Sequence, residues 1–188
     1  MYVLDDQTCA LCPALVASRS RIVHGCGDSA SGIVLVGEAP GRHGADRTGV
    51  PFSGDKSGRA LRGMLREIGL DADGAPGYFI TNIVRCCPPR NRTPLPAERR
   101  SCAPFLWREL DAIRPRILVA VGRRALAELT ERYLGRDVGP IRPLNALPIA
   151  AGALTIVPLV HPSRISRAQR AAFVAAMRAL LTGRAGGD

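Results

Sequence analysis

The sequence predicts an α/β fold: a single domain built on a mainly parallel four-stranded sheet with helices on both faces. Three observations predict it. Four short apolar runs, at residues 32–36, 78–84, 116–121 and 154–160, are bounded by glycine, proline or polar residues, as buried strands are. The stretches between them place apolar residues at helical spacing. At 188 residues the chain is long enough to bury one hydrophobic core.

Taken in order, the run at 32–36 ends in a glycine-rich loop, so a buried strand is the natural reading. The helix expected at 57–70 sets Leu61, Met64, Leu65 and Ile68 on one face, with Asp55 or Ser57 as its cap. The strand at 78–84 is broken by Cys86-Cys87-Pro88-Pro89. A helix follows at 96–113, carrying Trp107, with Pro104 interrupting it or lying near a turn. Strand 116–121 leads through Gly122 into a helix at 123–132. A proline- and glycine-rich loop covers 135–152. Strand 154–160 runs into His161-Pro162-Ser163-Arg164, and an alanine-rich amphipathic helix at 168–181 comes last. No internal repeat, low-complexity tract or second domain is visible, so residues 1–188 read as one domain. In parallel sheets ligands gather at the carboxyl ends of the strands. Here those ends carry the glycine-rich loop, Asn82 with the cysteine pair, Gly122-Arg123 and His161-Pro162-Ser163.

The composition narrows the partner. Twenty-six basic residues face 16 acidic ones, for a formal charge of +10, and Lys56 is the only lysine. Arginine presents a planar fork of donors that suits phosphate oxygens, so a polyanion, nucleic acid above all, is the expected partner. No apolar window reaches the length of a membrane span, and the N-terminus lacks an export pattern. A cytoplasmic protein without membrane contact is expected. Cysteines stand at 9, 12, 26, 86, 87 and 102. Cys9-x-x-Cys12 has the spacing of a metal or redox pair, and thiolates from two distant segments can hold zinc or an iron–sulfur cluster.

The loop GEAPGRHGADRTGVPFSGDKSG, residues 37–58, raises the sharpest question. Its 49–57 portion is one residue from a phosphate-binding P-loop. Asp55, however, stands between Gly54 and Lys56, shifting the lysine and turning a carboxylate toward the anion, and no strand precedes Gly49. The phosphate reading fails. A strand-following glycine loop with Glu38, Asp46 and Asp55 beside Phe52 suits a flat, uncharged ring instead.

Gly37-Glu38-Ala39-Pro40-Gly41, Pro51-Phe52, Thr81-Asn82, Cys86 with Pro88-Pro89, Asn91-Arg92-Thr93-Pro94 and His161-Pro162-Ser163 occur in the order seen in iron–sulfur uracil-DNA glycosylases, which the chain resembles over nearly its whole length. GEAPG and Thr-Asn resemble family 4. The segments HGADRTG and SGDKSG resemble family 5, which accepts several deaminated bases; the pattern is a mosaic. The interval PPRNRTPLPAERRS is short and lacks the histidine of a related covalent-trapping branch, so no permanent DNA crosslink is expected.

The resemblance implies a monofunctional glycosylase that excises uracil from DNA in base excision repair and leaves an abasic site. Gly37, Ala39, Pro40 and Gly41 would line the base pocket, Phe52 would stack on the extruded ring, and Asn82 would read uracil N3–H and O4. His161 would stabilise charge on the departing base. Asp55 is the first candidate for the carboxylate facing the sugar, with Glu38 and Asp46 as competitors. Ser163 and Arg164 would contact DNA phosphates, and Ile165 would be a wedge. Cys9, Cys12, Cys86 and Cys102 would ligate a structural [4Fe-4S] cluster, Cys87 being the substitute for Cys86 and Cys26 a spare thiol. A monomer is expected. Two other readings stand beside this one: an iron–sulfur DNA-binding module that recognises lesions without catalysis, and the disfavoured nucleotide-dependent enzyme.

Overall fold

The structure is a computed structural model that describes residues 8–72 and 75–183. Its centre is a sheet of six strands, not the four expected. The expected four are there and form its parallel middle: β2 (Ile33–Gly37), β5 (Phe79–Asn82), β6 (Ile117–Val121) and β8 (Leu154–Leu159). Two short antiparallel strands complete the edges, β1 (Cys26–Gly27) on β5 and β7 (Ile149–Ala151) on β8, giving the order β1-β5-β2-β6-β8-β7. Strands of two and three residues are too short to show the alternation that reveals a strand in sequence. A separate two-stranded ribbon pairs β3 (Asp71–Ala72) with β4 (Ala75–Pro76).

The parallel strands are largely apolar because both of their faces are covered, Thr81 and Asn82 of β5 and Thr155 of β8 being the polar exceptions. On one face α3 (Lys56–Ile68) and α7 (Arg167–Thr182) pack Leu61, Met64, Leu65, Phe173 and Met177 against Leu35, Val119 and Val157. On the other, α4 (Pro96–Ile113) and α5 (Arg123–Leu134) pack Leu106, Leu110, Leu126 and Leu129 against Val34, Val36, Leu118 and Ile156. Three short helices lie in connections: α1 (Pro13–Ser18), α2 (Ala45–Thr48) and α6 (Ile141–Leu144). The last of these, with β7, falls in the stretch expected to be loop.

Helix ends follow local chemistry. Asp55 caps α3 by accepting from Gly58 N–H at 2.8 Å. Ser166 and Gln169 form a capping box at the start of α7. Pro104 does not interrupt α4, which continues through it with the ring exposed. Among the described residues no helix is long and apolar enough to cross a membrane.

Candidate active site and cysteine cleft

Parallel pairing sets Gly37 of β2 directly opposite Asn82 of β5. Beyond these residues the two chains stay joined, Ile83 N–H donating to Gly37 C=O at 2.9 Å and Val84 N–H to Glu38 C=O at 3.0 Å. Both loops therefore leave the sheet together at its carboxyl edge. There a cavity of about 380 Å³ is lined by Glu38, Ala39, Pro40, Gly41, Phe52, Asp55, Asn82, His161 and Ser163. Gly37 lies just behind: a Cβ on it would collide with Asn82 Oδ1 and stand 2.6 Å from Phe52 Cε2. Only glycine lets the amide and the ring occupy that corner. Phe52 holds a left-handed backbone, φ 50°, which turns its ring toward His161 across a centroid separation of 6.3 Å at 39°. Asn82 is 2% exposed.

The acids differ in what already engages them. Asp46 is buried and does not line the cavity; its oxygens accept from Ser20 N–H at 2.9 Å and Ser20 Oγ at 2.8 Å. Asp55 lines the cavity with one oxygen committed to the α3 cap, while its other oxygen lies against Gly44, where a Cβ would come within 2.5 Å. Glu38 lines the cavity with Oε1 buried and without a hydrogen-bond partner. Burial pushes its carboxyl above the ordinary 4.5, against the pull of Arg124, Arg99 and Thr93.

His161 follows β8, and its main chain is placed by Asn145, whose Oδ1 accepts from Val160 N–H at 2.9 Å while its Nδ2 donates to Gln169 C=O at 3.0 Å. Ser163 N–H lies 3.3 Å from His161 Nδ1, and Ser163 Oγ lies 2.8 Å from the same atom. A main-chain N–H can only donate, which assigns Nδ1 as acceptor and puts the ring proton on Nε2. Burial holds the imidazole below its ordinary 6.5, Asp55 opposing and Arg164 reinforcing the shift. The side chain is thus a neutral Nε2–H donor. Arg164 is exposed and outside the cavity lining, whereas Ile165 is half-buried against both faces of the core.

The far wall of the cavity comes from Pro88, Asn91, Arg92, Thr93 and Pro94. The sequence motif containing these residues is visible, but no role follows from it. Asn145 carries no sequence signal at all.

Behind that wall, Cys9, Cys12, Cys86 and Cys102 line one narrow cleft with Leu11, Leu15 and Phe105. Burial pushes the thiols of Cys12, Cys86 and Cys102 up, the last to about 11. Arg19 donates to Cys86 Sγ at 3.1 Å and to Cys9 C=O at 2.9 Å. Cys87 is outside this cleft and points to Pro88 C=O and Asn91 Oδ1, each at 3.6 Å; Cys26 sits on the edge strand β1. Among the described residues no group of three or more His, Cys, Asp or Glu side chains is arranged to hold a metal ion as it stands.

The pattern of the Uracil DNA glycosylase superfamily matches residues 24–181. The Type-4 uracil-DNA glycosylase of Thermotoga maritima is 38% identical over 160 residues, covering 85% of this chain and 78% of that protein. The Type-5 uracil-DNA glycosylase of Thermus thermophilus is 37% identical over 178 residues, covering 80% and 81%. The Type-4 enzyme of Archaeoglobus fulgidus is 42% identical over 130 residues, covering 66% and 62%. Both types match at similar identity, in keeping with the mosaic of motifs, and the chain belongs to the uracil-DNA glycosylase superfamily.

Proposed function

We propose that this chain is a monofunctional uracil-DNA glycosylase that hydrolyses the bond between uracil and its sugar in DNA and leaves an abasic site. The observation that carries the reading is the convergence of Asn82, Phe52, His161 and Glu38 on one cavity at the sheet edge. The cavity is fit for a base turned out of the stack.

Each residue then has a chemical task. Phe52 offers an aromatic face to the extruded ring. The Asn82 amide accepts from N3–H and donates to O4, whereas cytosine presents the opposite pattern and would leave buried polar groups unpaired. His161, neutral and protonated at Nε2, donates to O2 as negative charge grows on the departing base. Glu38 is assigned the role of the carboxylate facing the cationic sugar ahead of Asp55, because its Oε1 has no hydrogen-bond partner whereas an Asp55 oxygen is committed to the α3 cap. Asp55 holds α3 and lends its charge to His161. Ser163 and Arg164 at the rim suit phosphates beside the lesion. A lyase step needs an amine nucleophile, and the only lysine, Lys56, is exposed at the start of α3.

Cys9, Cys12, Cys86 and Cys102 would hold a [4Fe-4S] cluster, making the cysteine segment part of the same domain. The fit rests on the donor set: four thiols from three segments around one apolar cleft, with Arg19 donating to a sulfur. The cluster would supply cross-linking rather than chemistry, since hydrolysis moves no electrons.

The test is incubation with a duplex carrying one uracil, following free uracil and the strand separately. Release of uracil with the strand intact until alkali treatment is expected. Strand scission without alkali would overturn the monofunctional assignment.

A further inference from the structure

We propose that Asp46 is a positioning residue for base excision, joining the cysteine segment to the turn that lines the cavity at Gly41 and Ala45; this rests on the glycosylase reading above. Asp46 is 2% exposed, yet it does not line the cavity itself. Both of its oxygens are engaged by one residue far off in the chain. Oδ1 accepts from Ser20 N–H at 2.9 Å and Oδ2 from Ser20 Oγ at 2.8 Å. A carboxylate is buried at little cost only where donors replace its water, so this pairing fixes where α2 sits.

Ser20 is held firmly from its own side. Arg19, next to it, reaches into the cysteine cleft and donates to Cys86 Sγ at 3.1 Å and to Cys9 C=O at 2.9 Å. Arg19 N–H donates to Leu15 C=O at 2.9 Å, and Val23 N–H donates to Arg85 C=O at 2.8 Å. Ser20 is thus presented by a stretch of chain pinned on both sides to the cysteine region.

From Asp46 the contact reaches the site through the turn. Asp46 N–H and Gly44 N–H both donate to Gly41 C=O, each at 3.1 Å. Gly41 and Ala45 line the cavity, and a Cβ on Gly44 would come within 2.5 Å of Asp55 Oδ2. Asp55 is the carboxylate whose charge reaches His161. Residues 38 and 42 have holds of their own, Val84 N–H on Glu38 C=O and Arg42 N–H on Asn91 Oδ1. Freeing Asp46 therefore displaces the later part of the turn and leaves the earlier part in place. Misplacement by about 1 Å can cost about 10²-fold in rate, and with the earlier part held the loss expected here is about tenfold.

Three variants separate this joint from chemistry and from folding. Asp46→Asn keeps the joint, since its amide oxygen accepts from Ser20 N–H and its amide nitrogen donates to Ser20 Oγ. Asp46→Ala removes the joint, and Ser20→Ala removes the hydroxyl bond alone. Single-turnover excision is followed at saturating enzyme on a uracil duplex, reading rate constant and amplitude. Iron content, Tm and affinity for a uracil-free duplex are measured alongside. Asp46→Ala is expected to lower the rate constant about tenfold, with iron, amplitude and duplex affinity near wild type. Asp46→Asn is expected within about threefold of wild type. Ser20→Ala is expected to slow the wild-type background about threefold and to leave Asp46→Ala unchanged, because both act on one joint. An Asp46→Asn rate as low as that of Asp46→Ala would overturn the proposal, as would equal effects of Ser20→Ala in the two backgrounds. A fall in amplitude and Tm with the rate constant unchanged would also overturn it, marking a role in folding alone. If the wild-type chain itself releases no uracil in this assay, it is the glycosylase reading that fails.

Discussion

Gly37 and Asn82 are paired across parallel strands, and the space that a Cβ on Gly37 would fill is taken by the Asn82 side-chain oxygen. The amide proposed to read the base is thus seated by the absence of a side chain on its neighbour. Substituting Gly37→Ala pushes Asn82 and Phe52 out of place while leaving an ordinary strand backbone. Uracil excision is expected to fall by at least about 10², with the far-UV spectrum unchanged. Asn82→Ala is expected to lower kcat/KM for uracil at least as far, on the order of 10²–10⁴, with uracil-free duplex binding intact.

Glu38 is predicted to trade stability for function. Burial raises its carboxyl above 4.5, so the folded state binds this proton more tightly than the unfolded chain does. Its contribution to stability is full below the unfolded pKa and is lost as pH rises through the folded value. Glu38→Gln should therefore abolish most excision and yet raise Tm at pH 7, by about 2 °C per half to one kcal/mol gained. In the wild type, kcat/KM should fall on an acid limb above the ordinary carboxylate range, and that limb should vanish in Glu38→Gln. Asp55→Asn preserves the helix cap, since asparagine caps as well as aspartate. A greater rate loss in Asp55→Asn than in Glu38→Gln would reverse the two assignments.

His161 has the opposite sign. Its folded pKa lies below 6.5, so the unfolded chain takes up the proton first; stability is full above about pH 6.5 and declines as pH falls through the folded value. His161→Ala should slow excision by about 10²–10³ and flatten the decline of Tm on acidification.

The cysteine cleft gives a chemical prediction. Iron and acid-labile sulfide, assayed on the purified chain, should be lost in Cys86→Ser and Cys102→Ser and retained in Cys26→Ser and Cys87→Ser. Loss in Cys87→Ser with retention in Cys86→Ser would exchange the two.

Behind Asn82, Thr81 Oγ donates to Glu109 Oε2 at 2.8 Å and Arg85 pairs with Glu109 Oε1 at 2.7 Å. Both Arg85 and Glu109 are largely shielded from water, with side-chain exposures of 8% and 20%. Removing one charge from such a pair costs about 3 kcal/mol. Glu109→Gln should show that loss in urea unfolding, with m unchanged.

Much of this was legible from residue order. The four parallel strands are the four apolar runs, and their carboxyl ends carry Gly37, Asn82 and His161, so the site edge followed from strand order alone. Three other features were not legible. The edge strands at Cys26 and Ile149 are too short to have a pattern. Asp46 looks in sequence like any loop acid, and only Ser20, 26 residues away, makes it an anchor. Asn91 takes a left-handed backbone and bonds a partner 49 residues distant, neither of which a local pattern encodes.

The most direct measurement sets the purified wild-type chain against matched duplexes differing only in having uracil, thymine or cytosine at one position, and scores alkali-labile sites. Cleavage at uracil and none at cytosine is the result this account predicts. Protein that carries its iron and binds the uracil duplex, yet generates no alkali-labile site there, would contradict it.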